Sequence, residues 1–237
     1  MNPLSGQIIV FLPGLDGTGI SFEPLGKLLP SDVIAEVIQY PADKLLSFEE
    51  TVCCARYQIK TNREAIVIAE SFSGPVAAAL VGSGLLKAKC LIFSATFARS
   101  PRPLLLKLLA CLPLEMLITL PLPRFLLKNI IAGGERNADV FMGMVQRIRA
   151  IVPAKTLVHR LKVVDESDVR GLLAKIKIPC LYIQAASDRT VPAWCLNDFT
   201  AALAELQVVR IPGPHFILQA QPRQCVEAIE NFLTFVP

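Results

Sequence analysis

The chain has 237 residues, of which 53% are hydrophobic and 19% charged, with a mean hydropathy of +0.50 and a net charge of +4. Disorder is excluded by that apolar content, and so small a net charge gives no ground for a nucleic-acid partner. The two histidines, His159 and His215, are too few for a polyhistidine metal centre, so no metal is expected.

Taken in chain order, short apolar runs rich in β-branched residues alternate with helical patterns. Gln7–Leu12, Val33–Tyr40, Ala65–Ala69 and Cys90–Ser94 are predicted strands, followed much later by Pro179–Gln184 and Gln207–Ile211. Runs this continuous suit strands buried on both faces of a parallel sheet. Ser47-Phe48-Glu49-Glu50 is a capping box opening a helix to about Gln58. Gly74–Leu86 is an alanine-rich helix candidate. Pro192–Glu205 and Pro222–Phe235 each open on a proline, which the first helical turn tolerates.

The alternation breaks between about Thr96 and Ala174, where the sequence is helical, apolar and punctuated by prolines. The expected architecture is α/β: a mostly parallel sheet of about six strands flanked by helices, with a helical cap inserted before the last two strands. The core is assigned to residues 1–97 and 173–237, and the cap to 98–172. The leucine-rich stretch Pro101–Ile130 is crossed by Arg102, Lys107, Glu115, Arg124 and Lys128, so no transmembrane segment is expected. Met1–Val10 lacks a basic region followed by an apolar one, so no secretory signal is read there. None of the seven cysteines forms a Cys-x-x-Cys pair, and most lie in apolar runs. Buried free thiols in a reducing compartment follow, with the cytoplasm as the expected location.

The sharpest motif is Ala69-Glu70-Ser71-Phe72-Ser73-Gly74, between a predicted strand and a predicted helix. A serine on so tight a turn needs small residues two places to either side, and Ala69 and Ser73 supply them. The Phe72 N–H lies at the start of the following helix, where free donors favour negative charge. The loop after the first strand is Leu12-Pro13-Gly14-Leu15-Asp16-Gly17-Thr18-Gly19, whose glycines permit close backbone approach to a ligand. It lacks Gly-Lys-Ser/Thr and Gly-x-Gly-x-x-Gly, which argues against phosphate binding.

A serine nucleophile needs a base, and the base an orienting carboxylate. After the fifth predicted strand comes Ser187-Asp188-Arg189-Thr190-Val191-Pro192, and after the sixth Gly213-Pro214-His215. Both loops leave the same end of a parallel sheet as the Ser71 turn. Asp188 is the preferred acid, with Asp165 and Asp168 as alternates. His215 is the preferred base, because His159 falls inside the predicted cap.

Together these stretches resemble the α/β-hydrolase fold superfamily, in its serine esterase, lipase and thioesterase branch. The turn resembles its nucleophile elbow, with Ala69 and Ser73 in place of the usual glycines, and the Pro13 loop resembles its His-Gly-x loop. The order Ser71, Asp188, His215 is the superfamily's order. The resemblance implies Ser71 as nucleophile, and the N–H groups of Phe72 and Leu15 as oxyanion donors, with the Asp16 N–H as the alternate to Leu15. It makes Gly14, Asp16 and Glu70 candidate substrate-binding residues, Glu70 being either a local hydrogen-bonding group or a salt-bridged surface acid. It calls for no cofactor.

Residues 98–162 contain eleven Lys and Arg but only Glu115, Glu135 and Asp139 as acids, so this part of the cap carries +8 and the rest of the chain −4. An apolar lid with a basic exterior suits an acyl-chain pocket. The expected function is a carboxylesterase acting on an acyl ester through a Ser-His-Asp triad and an acyl-enzyme. Alternatives are an esterase or thioesterase for groups on an acidic acyl carrier protein or coenzyme A, such as a pimeloyl-carrier methyl ester, docked by the basic cap. An acyltransferase, resembling plant phytyl-ester and diacylglycerol acyltransferases at Leu12–Gly19, and a non-catalytic binding module are the others.

Overall fold

The computed structural model describes residues 2–109, 112–120 and 135–237. Six strands form one sheet: β1 (Ile8–Leu12), β2 (Ile34–Val37), β3 (Ala65–Glu70), β4 (Ala88–Ser94), β5 (Cys180–Ala185) and β6 (Leu206–Ile211). Their order is β2-β1-β3-β4-β5-β6 and every pairing is parallel. A mostly parallel sheet of about six strands is expected, and the six-stranded sheet is parallel throughout. Burial on both faces holds for β1, β3, β4 and β5, whereas the edges are open, β2 mostly and β6 half exposed. The second strand is also shorter than Val33–Tyr40.

Eleven helical segments pack around it among the described residues: α1 (Glu23–Gly26, preceded by a 3-10 turn at Ile20–Phe22), α2 (Phe48–Gln58), α3 (Ser73–Gly82), α4 (Pro103–Leu109), α5 (Leu114–Thr119), α6 (Glu135–Ile151), α7 (Ala154–Glu166), α8 (Arg170–Leu173), α9 (Cys195–Ala202), α10 (Ile217–Ala220) and α11 (Pro222–Leu233). The two-residue period of the strands divides the core. Val10, Leu12, Val67, Leu91, Phe93 and Tyr182 face a layer containing α2, α3, α7 and α9. Ile9, Phe11, Ile66, Ile68, Ile92 and Ile183 face α1, α10 and α11. The Ser47 capping box forms as expected: Glu50 N–H donates to Ser47 Oγ at 3.2 Å, and Ser47 N–H to Glu50 Oε2 at 2.8 Å.

Between β4 and β5 the described residues form helices and their connecting turns, with one antiparallel bridge, Arg99 to Asp168. Val169 N–H also donates to the Ala98 carbonyl at 2.8 Å, so the two ends of this insertion lie side by side. Cys111, Arg124 and Lys128 lie outside the described residues, as do the side chains at 135, 136 and 139. The other six cysteines are free, four of them buried; Cys53 is exposed and Cys54 half-buried, against the expectation that such thiols lie inside. Burial pushes the buried Cys90, Cys180, Cys195 and Cys225 thiols up to about 12. Among the described residues no helix is long and apolar enough to cross a membrane.

Candidate active site

Parallel pairing brings the loops after β1, β3, β5 and β6 to one end of the sheet, where open α/β sheets bind ligands. Ser71 follows β3 directly with φ +48°, a left-handed conformation that costs a non-glycine residue on the order of 1–3 kcal/mol. Several contacts hold it there. Ser71 N–H donates to the Ser94 carbonyl at 2.9 Å, and Thr96 Oγ1 donates to the Ser71 carbonyl. Gly74 sits so close to Thr96 that a Cβ would collide with its side chain. Ser73 is fully buried, donates to the Pro13 carbonyl and lies 2.6 Å from the Tyr40 hydroxyl. The small residue two places after Ser71 thus ties the elbow to the β1 loop.

Ser71 Oγ lies 2.9 Å from His215 Nε2, and His215 Nδ1 lies 2.7 Å from Asp188 Oδ2. The second carboxylate oxygen of Asp188 accepts the N–H groups of Thr190 and Val191, each at 2.8 Å, which fixes its plane. The imidazole is nearly buried and its neighbour Phe216 packs edge-on against it. The three sequence-selected groups are therefore one hydrogen-bonded line. His159 lies elsewhere, its Nε2 2.9 Å from the Leu46 carbonyl. Asp165 accepts Ser100 Oγ and Asp168 pairs with Arg170, so neither alternate acid reaches the imidazole.

Gly14, Leu15, Asp16, Glu70, Ser71, Phe72 and His215 all line one cavity of about 610 Å³. Its remaining wall is largely apolar: Leu105, Leu106 and Leu109 of α4, Val145 and Ile148 of α6, and Leu157, Leu161 and Val164 of α7. No hydrogen bond from the Leu15 or Phe72 N–H is found among the described residues. Both remain available to an anionic oxygen beside Ser71.

Glu70 is buried and is not a salt-bridged surface acid. Ser21 Oγ donates to it at 2.9 Å and Gln219 Nε2 at 2.8 Å. Burial raises its pKa, and the nearby Asp16 carboxylate adds to the rise. Asp16 accepts the Thr18 N–H at 2.8 Å and the Thr18 hydroxyl, which stiffens the β1 loop.

One residue of the site escapes the motifs. Arg160 of α7 reaches from the insertion into the β1 loop, where its guanidinium donates to the carbonyls of Leu15 (2.9 Å) and Asp16 (2.6 Å). Its other amino group donates to Tyr40 (3.3 Å) and Pro41 (3.0 Å). Gly17, at φ +69°, leaves room for it: a Cβ there would meet the guanidinium. In the sequence, Thr156, Arg160, Val163 and Val164 share one helical stripe, all buried, so a cation on an apolar face was the available signal.

No family model and no curated protein matches the sequence. Solved structures do match in fold. The bromoperoxidase from Bacillus anthracis superposes with a TM-score of 0.80 at 17% identity, over 97% of this chain and 92% of that one. The enol-lactonase from Burkholderia xenovorans LB400 gives 0.78 at 16%, over 97% and 92%. The esterase EaEST from Exiguobacterium antarcticum gives 0.78 at 13%, over 99% and 93%. The chain has the α/β-hydrolase fold.

Proposed function

We propose that this chain is a serine hydrolase that cleaves a carboxylic ester with an apolar acyl chain. The observation that carries the reading is the line Ser71 Oγ, His215, Asp188, at 2.9 and 2.7 Å, opening on the leucine-lined cavity. In this reading Ser71 Oγ bonds to the acyl carbon while His215 Nε2 takes its proton. Asp188 holds the ring with Nε2 toward the serine and stabilises the imidazolium. The N–H groups of Leu15 and Phe72 receive the oxyanion. The alcohol leaves with the proton from His215, and water, deprotonated by the same nitrogen, releases the acid. The helices between β4 and β5 act as a lid whose leucines receive the acyl chain, at roughly 0.8 kcal/mol per buried methylene.

A p-nitrophenyl ester series of increasing acyl length tests this on the wild type and on Ser71→Ala. Turnover that falls on the order of 10⁴-fold or more in the variant is expected. Wild-type turnover by Ser71→Ala would overturn the reading. Ester product from an added alcohol, in preference to free acid, would move it to acyl transfer.

A further inference from the structure

Three arginines line the Ser71 cavity, each from a different part of the chain. Arg102 comes from the bend before α4, Arg149 from α6 and Arg189 from the loop after β5. Two of them stand beside the apolar wall: Arg102 precedes Leu105, Leu106 and Leu109, and Arg149 shares one helical face with Val145 and Ile148. Arg102 and Arg149 are half-buried and Arg189 is exposed, whereas His215 is nearly buried. The cations therefore sit toward the mouth of the cavity, and the triad lies deeper.

No carboxylate answers them. Arg102 donates to the backbone carbonyls of Thr190 (3.1 Å) and Arg189 (2.9 Å), which orient its guanidinium but leave the charge unneutralised. The side chains of Arg149 and Arg189 have no hydrogen bond or ion pair among the described residues. The insertion's other described arginines are matched: Arg99 to Asp198, Arg147 to Glu23, Arg170 to Asp168, and Arg160 to its four carbonyls. Asp16 and Glu70 are the acids among the lining residues, and both are already engaged, Asp16 by Thr18 and the nearby Arg160, Glu70 by Ser21 and Gln219. Because Arg102 rests against the backbone of Arg189, two like charges share one edge of the cavity, an arrangement that an anion between them would relieve.

We propose that the ester cleaved at Ser71 carries an anionic group, a carboxylate or a phosphate, which Arg102, Arg149 and Arg189 receive at the mouth of the cavity while its hydrocarbon lies along the leucines. Guanidinium forks suit that task, since they hold such oxyanions through paired N–H donors and stay charged at any working pH. A neutral ester of the same length would fill the leucine wall and leave the cations unmatched. The substrate class rests on the hydrolase reading above; the anion site itself is read without turnover.

Matched pairs of esters test it. One pair puts the anion on the acyl part: the mono-p-nitrophenyl ester of adipic acid against p-nitrophenyl hexanoate. The other puts it on the alcohol: hexanoyl glycerol phosphate against monohexanoyl glycerol. In at least one pair kcat/KM should favour the anionic ester about tenfold or more, and salt should shrink the preference. The pair that shows it assigns the anion to the acyl or the alcohol side. Arg149→Gln should cut that preference about tenfold, and Arg149→Lys should restore part of it. Arg189→Gln should act in the same direction. A merely structural Arg149 would slow both esters of a pair alike and leave their ratio standing, which would overturn the proposal. So would equal use of both esters, or preference for the neutral one, in both pairs. Calorimetric binding to Ser71→Ala keeps the two readings apart. Octyl phosphate should bind that variant about tenfold or more tightly than octanol, and adding Arg149→Gln should remove the difference. Equal binding of the two would overturn the anion site. If no ester is turned over but octyl phosphate binds as stated, the hydrolase reading fails and the anion site stands.

Discussion

Arg160 satisfies four backbone carbonyls with one buried guanidinium, and two of them, those of Leu15 and Asp16, directly follow the expected oxyanion donor at Leu15. Its burial lowers its pKa from the ordinary value, and the nearby Asp16 carboxylate works against that shift. Replacing it by Met should destabilise the fold by about 3 kcal/mol through stranded acceptors, seen as a lower midpoint in urea. Turnover per bound substrate should fall while KM changes little, and Arg160→Lys should not restore it, because an ammonium lacks the fork. Asp188→Asn tests the other side of the site: it keeps the shape but reverses one hydrogen bond, and about a 10⁴-fold loss of kcat is expected. Glu70 makes a pH prediction. Its pKa in the fold is raised by burial above the ordinary value near 4.3, so the protonated acid is the form the fold prefers. Its contribution to stability is full below that ordinary value and is lost as pH climbs through the raised one. Glu70→Gln removes the titration, so the Tm of the variant relative to wild type should rise with pH over that window. A constant difference would show that Glu70 does not titrate there.

At the scale of elements, the elbow depends on how closely α3 approaches the loop after β4. Gly74→Ala should therefore cost several kcal/mol, read as a large fall in Tm, whereas Ser47→Ala at the α2 capping box should cost only about 1 kcal/mol. The central strands were legible because their apolar runs are unbroken and their neighbours cover both faces, as Ile66–Ala69 shows. The edge strands were legible as strands but not as edges: nothing in Ile34–Val37 says that β1 alone pairs with it. The short helices at Ile20–Gly26 and Ile217–Ala220 passed unseen, since four or so residues carry no periodicity and their packing against one another is tertiary. Ser71, Asp188 and His215 could be picked out because each stands at a strand end in a short punctuated loop. The partners of Glu70 could not: Ser21 and Gln219 lie 49 and 149 residues from it and carry no local mark.

At the scale of the whole molecule, the modest net charge hides a division between a basic insertion and an acidic remainder. Among the described contacts that join the insertion to the rest are the Ala98–Val169 neck, the Arg160 clamp, the Arg147–Glu23 ion pair, and Phe141 and Met144 packed with Ile20 and Phe216 beside His215. The adjacent neck bears on how such proteins are remodelled. Because Ala98 and Val169 already touch, a shortcut across the neck needs almost no linker, and the sheet would still hold its register. Yet the shortened chain would have surrendered the cation that shapes its first loop. Exchange of this insertion for that of another chain of this fold is thus constrained less by the seam than by side chains, foremost a cation that a recombinant must import or re-create opposite a glycine at position 17.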